Sequence, residues 1–134
     1  MTTFFVDLYA MTFAFYQARS PRDNRVYAQA ICVITGILVL LNSAQIVEIV
    51  VGRKIRIPLN NQLETVIAGM GAFGIGWYCM RHFVTRHPVL QASEAMCSHS
   101  MELSRFRKVG ILVTVITNLC LFIVGSYYVH KFLK

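Results

Sequence analysis

A chain of 134 residues that is 56% hydrophobic and only 14% charged is too apolar for a soluble domain. Soluble proteins carry about a quarter charged residues, and a chain this short cannot hide so much apolar surface in one core, so lipid must cover the excess. The net charge of +7 then falls in short segments between apolar stretches, where it suits the anionic inner leaflet or a pocket for a nucleotide or oligonucleotide signal.

Residues 3–18 are rich in aromatics: Phe4, Phe5, Tyr9, Phe13, Phe15 and Tyr16. On a helical wheel Asp7, Ala10, Ala14 and Gln17 share one stripe and the rings cover the rest. The segment has neither the basic start nor the small-residue cleavage site of a secretory signal, and it is short for a crossing. An interfacial amphipathic helix is expected, because aromatic rings favour the headgroup zone. A short fourth membrane helix is the alternative. Residues 18–25, ARSPRDNR, make a basic turn around Pro21, with Asp23 or Asn24 placed to cap the next helix.

The first span covers residues 26–51, almost wholly apolar and free of Lys, Arg and Pro. It exceeds the ~20 residues that cross a bilayer core. Thr35, Asn42 and Gln45 are neighbours on one face, with Glu48 further round. Polar groups facing hydrocarbon are costly, so this stripe must face protein or water. Gly52 ends the span, and Arg53, Lys54, Arg56, Pro58 and Asn60-Asn61 turn the chain back into an antiparallel hairpin.

The second span covers residues 62–84. Ala68, Ala72 and Gly76 repeat at i+4 with Gly69 beside them, a small-residue face that permits close backbone approach. It serves either packing within one chain or contact between subunits. Residues 85–108 are the one long polar stretch, and Pro88 followed by Ala, Gln, Glu and Met predicts a helix on the cytoplasmic face. The third span covers residues 109–132, and Asn118 near its middle is expected to hydrogen-bond across helices. Tyr127, Tyr128, His130, Lys131 and Lys134 close the chain as an interfacial anchor.

The fold class that follows is an all-α membrane bundle forming one domain: three transmembrane helices, the N-terminal aromatic helix and a cytoplasmic helical connector. Residues 18–25 and 81–108 fall on one side and hold eight of the 13 Lys and Arg, so that side is assigned to the cytoplasm of a bacterial inner membrane.

Four constellations bear on chemistry. The stripe of Thr35, Asn42, Gln45 and Glu48 is either interhelical hydrogen bonding or the lining of a wet path. In a ring of subunits Glu48 and Glu64, at matching depth, would make an acidic vestibule that attracts cations. Arg22, Arg25, Arg105 and Arg107 either converge on an anionic partner through bidentate guanidinium contacts or attract lipid diffusely. The four Cys and four His show no metal spacing beyond Cys97-Ser98-His99 and no nucleophile with a base and an orienting acid, so neither a metal, another cofactor nor an enzyme is expected.

The order of these features (basic turn, polar-bearing span with Leu40-Leu41-Asn42, glycine-rich span, cytoplasmic helix, last span) resembles the small multi-pass proteins of bacterial genomes. Some of those serve as membrane effectors of antiphage defence systems. The resemblance implies homo-oligomers that depolarise or permeabilise the inner membrane, and it assigns no functional residue. The expected function is a homo-oligomeric membrane pore or ion channel gated at the basic face by a cytoplasmic protein partner or an anionic signal. A non-conducting scaffold subunit that anchors a partner is the alternative.

Overall fold

A computed structural model describes residues 2–54, 62–88 and 105–133. Among them the chain forms four helices and no strand: α1 (Thr2–Gln17), α2 (Asn24–Val51), α3 (Gln62–Arg86) and α4 (Arg105–Phe132). The last three are long and apolar enough to cross a membrane. The predicted turn at 55–61 and residues 89–104 of the connector helix predicted over 85–108 lie outside the described residues, as do Cys97 and His99, while Thr85 and Arg86 belong to α3 and residues 105–108 to α4.

α2 is the hub. It packs against each of the other three helices, whereas among the described residues the backbone of α3 comes close to that of α2 alone. The pairings fix the directions. Tyr16 stacks on Tyr27 with ring centroids 4.6 Å apart, and Phe5 lies 3.8 Å from where a Cβ on Gly36 would sit, so α1 runs antiparallel to α2. Asn42 bonds Asn118 and Gln45 bonds Ser126, so α2 and α4 run parallel. Gly76 meets Val33 and Val84 lies near Val26, so α3 is antiparallel to α2.

Local chemistry explains where the helices stop. After α1, the Asn24 amide donates to the Gln17 side-chain oxygen at 2.7 Å, and Asn24 Oδ1 accepts from the Arg25 N–H at 2.7 Å. Asp23 occupies the capping position without a side-chain cap bond, so it is the side chain of Asn24 that ties this turn, while Asp23 contributes backbone bonds only. Gly52 closes α2 with φ 69° and its N–H on the Ile49 carbonyl, a left-handed conformation that glycine adopts without steric cost.

The core sits at the basic end. Val6, Leu8, Tyr9 and Phe13 of α1 gather with Ala28 and Cys32 of α2, Val84 of α3 and Ile111 of α4. Val6, Asp7, Leu8, Tyr9 and Ala10 are all buried, so no side of that turn of α1 is left exposed. At 16 residues and ~1.5 Å per residue, α1 is about 24 Å long and accompanies only the first half of α2. Away from this core the surface is apolar: Leu40, Val50, Leu63, Met70 and Ile75 are each more than two-thirds exposed. A soluble monomer does not carry such a continuous apolar coat, whereas lipid or another copy covers it at little cost.

Candidate functional site: a polar seam and a basic cleft

Three polar features emerge from this frame. The first is the seam between α2 and α4. Asn42 is buried, and its Nδ2 donates to the Asn118 carbonyl at 2.9 Å and to Asn118 Oδ1 at 3.1 Å. Asn118 in turn donates its own amide to the Thr114 carbonyl one turn back, at 3.0 Å. Three residues beyond Asn42, the Gln45 amide donates to Ser126 Oγ at 2.6 Å. Gly125 makes this approach possible, because a Cβ there would collide with the Gln45 amide oxygen. One atom is left over: Asn42 Oδ1 is buried and accepts no hydrogen bond.

This geometry revises the expected wet path. Thr35 is buried and donates to the Ile31 carbonyl of its own helix at 2.8 Å, and Asn42 and Gln45 spend their donors on α4. Asn42 and Gln45 thus join α2 to α4, whereas Thr35 bonds back within α2. The physical reason is the parallel pairing, which sets the polar face of α2 opposite Asn118, Gly125 and Ser126. Glu48 is half-buried near the end of α2 and Glu64 is exposed in the first turn of α3.

The second feature is an ion pair. Asp7 of α1, with 8% of its side chain exposed, lies 3.2 Å from the Arg107 guanidinium of α4, which is 55% exposed. A short helix with a buried carboxylate is thereby tied to the start of α4. The third feature is a cleft of about 480 Å³ between α2 and α3, lined by Arg25, Val26 and Gln29 on one side and Trp77, Arg81, Val84 and Thr85 on the other. Below it a Cβ on Gly76 would sit 2.9 Å from Val33 Cγ1, so the missing side chain lets α3 close the floor.

The four arginines expected to converge are therefore divided. Arg107 is engaged with Asp7, Arg25 lines the cleft, and Arg22 and Arg105 are exposed outside it. They separate because α4 and α3 lie against different sides of α2. Of the small-residue face on α3, Gly76 packs on Val33, whereas Gly69 has nothing within 4 Å of a built Cβ and Ala68 and Ala72 are exposed.

The residues missed in the sequence are Asp7 as an ion-pair partner, and Gln29, Trp77 and Arg81 as cleft walls. A signal for the cleft existed: Arg25 and Gln29 are spaced i, i+4, as are Trp77, Arg81 and Thr85, and such spacing stacks side chains on one helix face. Among the described residues no group of three or more His, Cys, Asp and Glu could hold a metal ion. No family model, curated protein or solved structure matches the chain.

Proposed function

We propose that the chain is the subunit of a homo-oligomeric membrane pore or channel whose copies meet on α3. The observation that carries this reading is the bare glycine-rich face of α3. Gly69, Gly71 and Gly74 have nothing within 4 Å of a built Cβ, and among the described helices α3 packs against α2 alone. Glycine inside a helix costs ~1 kcal/mol relative to Ala. A membrane helix recovers that cost where small residues let a second backbone come close, and none of the other described helices does so at these glycines.

In this reading the conducting path runs between copies, since the polar seam of each subunit is closed by Asn118 and Ser126. Glu48 and Glu64 lie toward the end of the bundle away from the core. α1 acts as a half-length fourth helix packed into the basic half, and that half faces the cytoplasm of a bacterial inner membrane. The resemblance to permeabilising effectors of antiphage systems agrees with this output.

The experiment is oligomeric state in nanodiscs followed by conductance in planar bilayers. Ala72→Ile is expected to shift the oligomer toward monomers and to abolish current. A monodisperse monomer for the unsubstituted chain refutes the assembly. A stable oligomer without conductance refutes the pore and leaves the scaffold reading, in which the assembly anchors a cytoplasmic partner.

A further inference from the structure

Each of the three long helices is bounded by charged side chains, and the distance between those charges sets the depth of hydrocarbon that the helix fits. On α2 the 22 residues between Arg25 and Glu48 include no Asp, Glu, Lys or Arg, and neither do the 22 between Lys108 and Lys131 on α4. At ~1.5 Å per residue both stretches measure about 33 Å, enough for a hydrocarbon core of ~30 Å. On α3 the charge-free stretch between Glu64 and Arg81 is only 16 residues, or about 24 Å. We propose that bilayer thickness regulates assembly: copies of the chain associate through α3 where the hydrocarbon core exceeds the ~24 Å that this helix fits. The inference rests on the reading that copies meet on α3, and it names what drives them together.

Three observations carry it. First, α3 is 25 residues long, so its backbone crosses a membrane and the shortfall lies in its apolar stretch. Glu64 stands in the first turn, and Arg81 lies five residues before Arg86 ends the helix. Arg81 reaches toward the basic end and recovers part of the difference, whereas Glu64 has a short side chain. Second, α3 is the helix that lipid meets most directly. Val84 is its one buried residue, and Glu64 and Arg81 are both exposed, whereas α2 packs against three neighbours.

Third, the face allows close contact. A span shorter than the surrounding hydrocarbon is accommodated by thinning the bilayer, by extending flanking side chains, or by association. Gly69, Gly71 and Gly74 have nothing within 4 Å of a built Cβ, so a second backbone fits close to this helix and association is open to it. The shortfall is about 6 Å in a ~30 Å core, and its cost rises with each further ångström. The same chain is therefore dispersed among short acyl chains and assembled among long ones. Association withdraws only part of the surface of α3 from lipid, so the response is graded.

The full-length chain, with one fluorophore on a C-terminal tag, is reconstituted at a fixed protein-to-lipid ratio in three bilayers. These are phosphatidylcholines with monounsaturated chains of 14, 18 or 22 carbons, and photobleaching steps give the oligomer fraction in each. The expected result is an association constant that rises with chain length, on the order of tenfold from the shortest to the longest. Arg81→Leu extends the charge-free stretch to the 21 residues from Thr65 to Thr85, about 31 Å, and is expected to flatten the series. Where Arg81→Leu fails to fold, Arg81→Gln removes the charge alone and is expected to act in the same direction. Lys108→Leu lengthens a helix that already fits, and is expected to leave the series unchanged. Equal association at all three lengths, or association strongest in the shortest, overturns the proposal and leaves the assembly through α3 standing. Monomers in all three lipids overturn both. A series that stays as steep without the Arg81 charge also overturns the proposal, because the mismatch would then lie on another helix.

Discussion

Replacing Asn42 by Leu or by Asp separates a seam from a water path, because the two substitutions exchange rank between the cases. Asn42→Leu removes two interhelical hydrogen bonds, at 2.9 and 3.1 Å. Such bonds average ~0.6 kcal/mol each in lipid, so the loss is about 1 kcal/mol. The same change deletes Asn42 Oδ1, a buried acceptor without a partner, whose burial costs about 1–3 kcal/mol. The terms nearly cancel, and Asn42→Leu should shift stability by no more than ~1 kcal/mol. Asn42→Asp instead puts an oxygen where Nδ2 stood, facing the Asn118 carbonyl and Oδ1. An Asp near a helix centre costs about 2.5–3.5 kcal/mol in lipid before that repulsion is counted. Asp should therefore be worse than Leu by about 3 kcal/mol, on the order of a hundredfold in the folding equilibrium. Reversible unfolding in mixed micelles measures both. An Asp variant as stable as the Leu variant, with raised cation conductance, would refute the seam and return Asn42 to water.

Two further outcomes follow from the same frame. Gly125→Ala should weaken the α2–α4 contact by about 1–3 kcal/mol through overpacking against the Gln45 amide, and Gln45→Ala in the same chain should recover most of that loss; additive effects in the unfolding assay would show that the two do not meet. Asp7→Asn should cost about 2 kcal/mol, since a charge-assisted hydrogen bond to Arg107 is replaced by a neutral one, and proteolysis of the N-terminal helix in nanodiscs should accelerate accordingly; an unchanged cleavage rate would show that the ion pair does not hold α1.

What could be read from the sequence is what depends on composition and period. The three long helices follow from apolar runs that exceed a bilayer's thickness, and Gly52 at the end of α2 follows from its tolerance of a left-handed conformation. The partners of the polar residues were harder to read. The stripe of Thr35, Asn42 and Gln45 requires something polar or wet opposite it, and hydrogen-bonding arithmetic alone accepts a helix or a water column equally well. Only the parallel pairing of α2 with α4, with the notch at Gly125, decides for a helix. Asp7 illustrates a second difficulty. Its place on a stripe with Ala10 and Ala14 is visible in the sequence, but Arg107 lies far along the chain, and nothing local links the two. Arg25 and Arg81 were each visible as basic residues near span ends, and their meeting needed the antiparallel register of α2 and α3 that Val33 and Gly76 set.

The two halves of α2 are held by different forces, and this shapes what α3 is able to do. In the basic half, α2 is packed by aromatic and aliphatic side chains from all three neighbours, a dense core in which single substitutions are felt. Beyond Gly36, hydrogen bonds join α2 to α4, and these are directional and modest in free energy. α3 shares only the first of these regimes. Its packing residues, from Gly76 to Thr85, fall in its second half, against Val33, Gln29 and Arg25, while the turns carrying Leu63, Val66 and Met70 are exposed. A 25-residue helix is about 38 Å long, and the clamped stretch is about a third of it. The angle at which α3 leaves α2 is thus set at the cleft and magnified along the free part, where Ala68 and Ala72 lie. A displacement at Gly76, where Val33 meets α3, grows to no more than about twice its size at the glycine-rich face. The basic cleft and the bare face are two ends of one lever.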